Sequence, residues 1–164
     1  MKIIINSTSF TICMKKKKRI ILTETDFNKL REEIKKNRDK IIIFTSSNDE
    51  FNRKVLEKLK ISILMVPLKS RKDYTKQRNS GLNEILVKIA KKNNVQIGIP
   101  LDEILNSGEK RWLLLSRLRQ NIKLCSRVGV KMQFICEKER DLKNLKSLGL
   151  ILGMPTWMTK ELNF

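Results

Sequence analysis

The sequence predicts an α/β fold with about six mainly parallel strands alternating with amphipathic helices, and three observations carry that prediction. Apolar runs such as IIIF at 41–44 lack the in-out alternation of a strand with one wet face, which is how a strand buried on both faces of a parallel sheet reads. Between these runs lie segments whose apolar residues recur at three- and four-residue spacing, the period of one helix face. Strand and helix then alternate along the chain with short connections, the rhythm of βαβ units with right-handed crossovers. Periodicity alone leaves two arrangements open, an open doubly wound sheet and a reduced (β/α) barrel.

The first strand is the short apolar run at 3–5, and a second, at 19–23, follows the cationic cluster Lys15, Lys16, Lys17, Lys18 and Arg19. Such a run reads as a solvated hairpin tip or loop, or as a flexible phosphate grip. Thr25 or Asp26 opens a helix to about residue 37, with Phe27, Leu30 and Ile34 inward. After the strand at 41–45, Ser46, Ser47, Asn48 and Asp49 supply a turn and cap for a helix to about residue 60, with Phe51, Val55, Leu56 and Leu59 on one side. The strand at 61–66 ends at Pro67.

The stretch RNSGLNEILVKIAKKNNVQIGIP at 78–100 is a helix passing directly into a strand. Ser80 is placed to cap the helix, Leu82, Ile85, Leu86, Ile89 and Ala90 form its apolar face, and Asn93 and Asn94 stop it. Val95, Ile97 and Ile99 alternate as a strand. Asp102 caps a turn of helix at 101–105, and a long helix follows at about 109–127 with Leu115, Leu118, Ile122 and Cys125 buried. Gly129 ends it, a strand runs over 131–136, a helix over 140–148, and a last short helix follows Pro155.

All 164 residues form one domain, long enough to bury a substantial core. Charge is the outlier: 36 Lys and Arg against 17 Asp and Glu give +19, spread over both halves of the chain. A fold that tolerates this much self-repulsion has a polyanion to neutralise, which makes nucleic acid the leading partner. Residues 69–78 concentrate it, with Lys69, Arg71, Lys72, Lys76 and Arg78 against the single acid Asp73. On the long helix Arg119, Lys123 and Arg127 recur every fourth residue, either as a phosphate contact line or as stems covering the sheet edge.

Catalytic apparatus is sparse. There is no histidine, and GxGxxG, P-loop, GxSxG and CxxC patterns are absent. Glu32–Glu33 and Asp49–Glu50 read as surface charge and not as a two-metal site. Cys13, Cys125 and Cys136 suit reduced thiols. No apolar run approaches the ~18 residues of a membrane span, and the protein is expected in the cytoplasm, away from membranes. With aromatics at 5%, stacking platforms are few; Trp112 and Tyr74 lie in strongly basic surroundings, and recognition of phosphate and shape is expected over base sequence.

RNSGLNEILVKIAKKNNVQIGIPLDEIL, then RWLLLSRLRQNIKLCSRVGVKMQFIC, then RDLKNLKSLGLILGM, together closely resemble ribonuclease P protein component 3, the thirty-kilodalton subunit family shared by archaea and eukaryotes. The resemblance covers residues 69–154. It implies a barrel similar to polymerase-and-histidinol-phosphatase-type barrels but without their metal site. It also implies a noncatalytic subunit that pairs with ribonuclease P protein component 2 and supports a catalytic RNA, whose magnesium ions cut the 5′ leader from precursor tRNA. The protein itself is expected to bind no cofactor and no metal. Lys69, Arg71, Arg78, Arg111, Arg117 and Arg119 look like the family's basic positions; with Lys76 and Lys123 they make up the expected RNA-binding set. Asn83 matches the motif's Asn and is expected to act structurally at the helix start. The chain is shorter than is usual in the family, and residues 1–40 match poorly, which predicts a barrel either incomplete or open on one side. The alternatives are a metal-dependent barrel phosphoesterase and a general nucleic-acid-binding protein.

Overall fold

In the computed structural model the described residues are 3–4, 18–69, 71–76, 78–160 and 162. Fourteen elements follow in order: β1 (Ile3–Ile4), β2 (Arg19–Leu22), α1 (Phe27–Lys36), β3 (Ile41–Thr45), α2 (Asp49–Lys58), β4 (Ile63–Met65), α3 (Glu84–Lys92), β5 (Gln96–Pro100), α4 (Leu101–Leu105), a 3-10 turn (Gly108–Lys110), α5 (Arg111–Val128), β6 (Met132–Ile135), α6 (Leu142–Leu152) and α7 (Thr156–Lys160). Lys15, Lys16, Lys17 and Cys13 lie outside the described residues.

The strands form one sheet in the order β1-β2-β3-β4-β5-β6. β2 to β6 are mutually parallel, while β1 runs antiparallel to β2, with Ile3 opposite Ile21. Strand order identical to chain order decides between the two arrangements left open by periodicity. A doubly wound sheet reverses its order at a switch point; here there is no reversal, so right-handed crossovers put the helices on one face, as in a β/α barrel. Among the described residues the sheet is an open arc, with β1 and β6 at its two ends.

Core composition agrees. Phe44, Leu64, Ile97 and Phe134 point to the helix side and join one continuous cluster with Leu30, Val55, Leu86 and Leu118. The other face carries a smaller cluster, Ile43, Ile63 and Ile135, flanked by Ile21, Ile41 and Met65. That inner face is narrow at β5. A Cβ on Gly98 would meet Ile63 Cγ2 at 3.0 Å and Met65 Cβ at 3.1 Å, so the strand passes closely only as glycine. Cys125 is fully buried and acts as a small apolar filler, with burial pushing its thiol up to about 12.

Several local expectations shift. Asp26, Asn48, Asn83 and Asp141 each accept a first-turn amide and cap α1, α2, α3 and α6. Ser80 is therefore not the cap of α3; it lies three residues upstream, buried, and Asn83 Oδ1 takes the Leu86 amide at 2.8 Å. The buried face differs as well. Leu86, Val87 and Ala90 are buried on α3, while Ile85 is 57% exposed. On α5 the buried stripe holds Leu114, with Leu115 only half-buried. Asp102 caps nothing: Pro100 stands at the start of α4, and Asp102 Oδ2 accepts the Glu137 amide at 2.7 Å across the β6 end. α6 begins after Asp141 and continues to Leu152, where Gly153 takes the left-handed conformation.

Candidate nucleic-acid interface

The basic segment 66–82 leaves β4 at its carboxyl end, the edge at which parallel α/β sheets present their functional loops. A loop this cationic repels itself, and its shape comes from carboxylates of α2 and α4 and from side-chain donors of α5 that reach its backbone.

At its start, Glu103 of α4 accepts the Leu68 amide at 3.1 Å and the Lys69 amide. Arg71 then turns inward. Its Nε donates to Pro67 O at 2.9 Å, and its two terminal nitrogens form a bidentate pair with Asp49 at the start of α2, at 2.8 and 3.1 Å. Nη1 also donates to Asn79 Oδ1 at 3.2 Å. Asn79 Oδ1 further accepts the Gly81 amide at 3.1 Å, a local side-chain turn that brings the chain back beneath the guanidinium. Gly81 has φ +77, and a Cβ there would run into Arg71. The arginine thus lies flat on a backbone that only glycine fits.

The second anchor is Arg117, 1% exposed on α5. Nη1 donates to Leu68 O at 2.6 Å, and Nη2 donates to Arg71 O at 2.8 Å and Asp73 Oδ1 at 2.7 Å. Asp73 Oδ1 also accepts the Asn79 amide at 2.9 Å, so one oxygen ties both limbs of the loop together. The hydrogen bond from Arg117 holds the Asp73 carboxyl below the usual carboxylate range, with lesser help from the Asn79 amide and the Arg78 charge. Farther along α5, Asn121 Nδ2 donates to Ser80 O at 3.1 Å and Gln120 Nε2 reaches Arg78 O at 3.5 Å.

The expected RNA-binding set accordingly splits. Arg71 and Arg117 face inward with their guanidinium groups occupied, and neither presents a free face to a phosphate. Lys69, Lys76 and Arg78 stand exposed on the loop, and Arg119 and Lys123 are exposed one helical turn apart on α5. The Gln120 contact places Arg78 beside that part of α5. Arg111 is exposed at the helix start, its Nη2 donating to Leu105 O at 2.8 Å, so with Lys69 it flanks α4. The anchors Asp49 and Glu103 carried no sequence signal for this role; Asp73, the one acid in a basic run, did.

Beyond the loop, Arg140 lies 3.8 Å from Asp102 at the β6 end, and burial raises the nearby Cys136 thiol, with the Asp102 charge adding to it. Among the described residues no three His, Cys, Asp or Glu side chains are grouped so as to hold a metal ion. No described helix is long and apolar enough to cross a membrane.

The family model described as RNase P subunit p30 matches residues 11–155, reaching well upstream of the stretch that carries the sequence resemblance. Ribonuclease P protein component 3 of Methanosarcina acetivorans is 34% identical over 131 residues, 78% of this chain and 52% of that protein. The same component of Methanothermobacter thermautotrophicus is 25% identical over 138 residues, 82% of this chain and 54% of that protein. The chain thus spans about half the length of the curated relatives it matches. A chain in a cryo-EM structure of archaeal ribonuclease P with mature tRNA shares the fold at TM-score 0.74, with 23% identity over 88% of this chain and 63% of that one. With its family model matched over most of its length, its RNSGLN segment folded beneath Arg71 and its strands in barrel order, this chain belongs to the RNase P subunit p30 family.

Proposed function

We propose that the chain is a noncatalytic RNA-binding subunit of a cytoplasmic ribonuclease P, supporting RNA-catalysed 5′ maturation of precursor tRNA. Its partners are the ribonuclease P RNA, precursor tRNA and ribonuclease P protein component 2, and the magnesium ions of the reaction belong to the RNA. The observation that carries this reading is the division of labour among arginines: Arg71 and Arg117 fix the loop from within, leaving Lys69, Lys76 and Arg78 outside with Arg119 and Lys123 nearby. A preorganised cationic surface suits a phosphate backbone of defined shape, because little side-chain and loop ordering remains to be done on binding. Membership of the RNase P subunit p30 family supports ribonuclease P RNA as that polyanion.

Reconstitution tests it. Cognate RNA and component 2, assembled with and without this chain, should cleave precursor tRNA faster with it, and the enhancement should fall steeply with salt as released counterions are replaced. Cleavage by the isolated protein with no RNA subunit would refute a noncatalytic role.

A further inference from the structure

Trp112 is 66% exposed on the first turn of α5, an unusual state for an indole on a helix whose apolar stripe faces the other way. Residues at i, i+4, i+7 and i+11 share one helix face, so Trp112, Ser116, Arg119 and Lys123 form a single stripe, turned away from the buried Leu114, Leu118 and Ile122. Arg119 and Lys123 are about 6 Å apart along the axis, and Trp112 is about 10 Å before Arg119. Lys110 and Arg111, both exposed, precede it.

We propose that this stripe binds an unpaired nucleotide of RNA, with the Trp112 indole stacked on the base and Arg119 and Lys123 on the phosphates that follow. The proposal rests on the RNA-binding reading above and adds to it a single-stranded feature and the residue that recognises it. Surroundings decide the occupant. The core of a protein interface places its aromatic anchor among apolar side chains and is depleted of charge. Trp112 instead has cations before it in sequence and after it along the helix. An aromatic platform leading into a cationic track is the combination that single-stranded nucleic acid uses, since every base has a π face and every step a phosphate. A duplex keeps its bases stacked inside and offers the indole nothing, so the stripe distinguishes unpaired from paired RNA without reading sequence.

The chain has two tryptophans, so Trp157→Phe leaves Trp112 as the only indole reporter. That variant is titrated with oligouridine and with a blunt RNA duplex of equal charge. Saturable quenching by the single strand and none by the duplex is the expected result. Trp112→Ala should weaken oligouridine binding roughly tenfold, with duplex affinity and both salt slopes unchanged, and Trp112→Phe should recover most of the loss. If both RNAs bind with normal salt dependence but the fluorescence does not move, or if Trp112→Ala weakens both equally, stacking is overturned while RNA binding stands. Normal RNA binding by Trp112→Ala with failed assembly onto component 2 would also overturn it, making Trp112 a protein contact. If the unmodified chain binds neither RNA at low salt, the underlying RNA-binding reading fails.

Discussion

Arg117 Nη2 donates to Asp73 Oδ1 at 2.7 Å while its neighbour Nη1 holds Leu68 O at 2.6 Å, so one guanidinium on α5 clamps the loop that leaves β4. Removing it leaves two carbonyls without their donor in a buried space. Arg117→Ala should cost about 3 kcal/mol, the low end for breaking a buried pair, because Asp73 is 29% exposed and regains water. Arg117→Lys should recover less than half of this, since an ammonium keeps the charge but not the planar fork. Urea unfolding midpoints at constant slope measure both.

The same pair makes stability depend on pH. Because the Asp73 carboxyl is held below its ordinary value, the unfolded chain binds the proton first as pH falls. The contribution is complete above the unfolded value, about 3.9, and is lost as pH drops through the lower folded one. Asp73→Asn removes that titration. Stability measured from pH 7 downward should therefore fall less steeply below about pH 4 in the variant than in the parent; identical acid limbs would show that the pair does not couple to folding.

Two left-handed glycines give an internal comparison. Gly108 has φ +56 with nothing within 4 Å of a built Cβ, so Gly108→Ala carries backbone strain alone, about 1 kcal/mol. Gly81→Ala carries similar strain and also displaces the Arg71 guanidinium from its seat. It should cost about 3 kcal/mol by thermal or urea denaturation, the excess reporting the lost Asp49 pair and Pro67 carbonyl bond.

How much of this could be read beforehand follows from what each feature depends on. The parallel strands were legible because apolar runs such as 41–44 are set by burial on both faces, a local composition. The antiparallel β1 was not, since a run as short as Ile3–Ile4 does not encode direction. The α3 face was not legible because the segment holds more apolar residues than one face accommodates, and the choice of Val87 over Ile85 comes from packing on α2 and α5, which are distant in sequence. Arg71 and Arg117 stand in the expected RNA-binding set through resemblance to basic positions, and a match of residue type does not say whether a guanidinium faces inward. Arg117 nonetheless falls inside the stripe made by Leu114, Leu118 and Asn121, and Asp73 was its visible partner. Arg71 offered no comparable cue, because Asp49 lies 22 residues away at the start of α2.

The revised start of α3 is itself testable. Asn83→Ala removes an N-cap and should cost about 1 kcal/mol. Ser80→Ala should stay within about 0.5 kcal/mol of the parent, because the Ser80 hydroxyl finds no partner among the described residues and the contact from Asn121 goes to its carbonyl. A larger loss at Ser80 than at Asn83 in urea unfolding would return the cap to Ser80.

Arg78 and Arg71 stand seven residues apart on the same loop and should fail in opposite ways. Arg71 is an internal strut; Arg71→Ala should lower stability by about 2 kcal/mol, because Asp49 is 45% exposed and regains water, and weaken RNA binding only as far as the loop loses its shape. Arg78 is exposed and reaches α5 through its carbonyl, so Arg78→Ala should leave stability within about 0.5 kcal/mol. Its effect should appear in RNA affinity, with the slope of log affinity against log salt reduced by about one contact. Measuring unfolding midpoint and salt slope on both variants separates the roles: a strut moves the midpoint and a phosphate contact moves the slope. A parent-like slope for Arg78→Ala would remove that residue from the contact surface and leave it to Lys69, Lys76, Arg119 and Lys123.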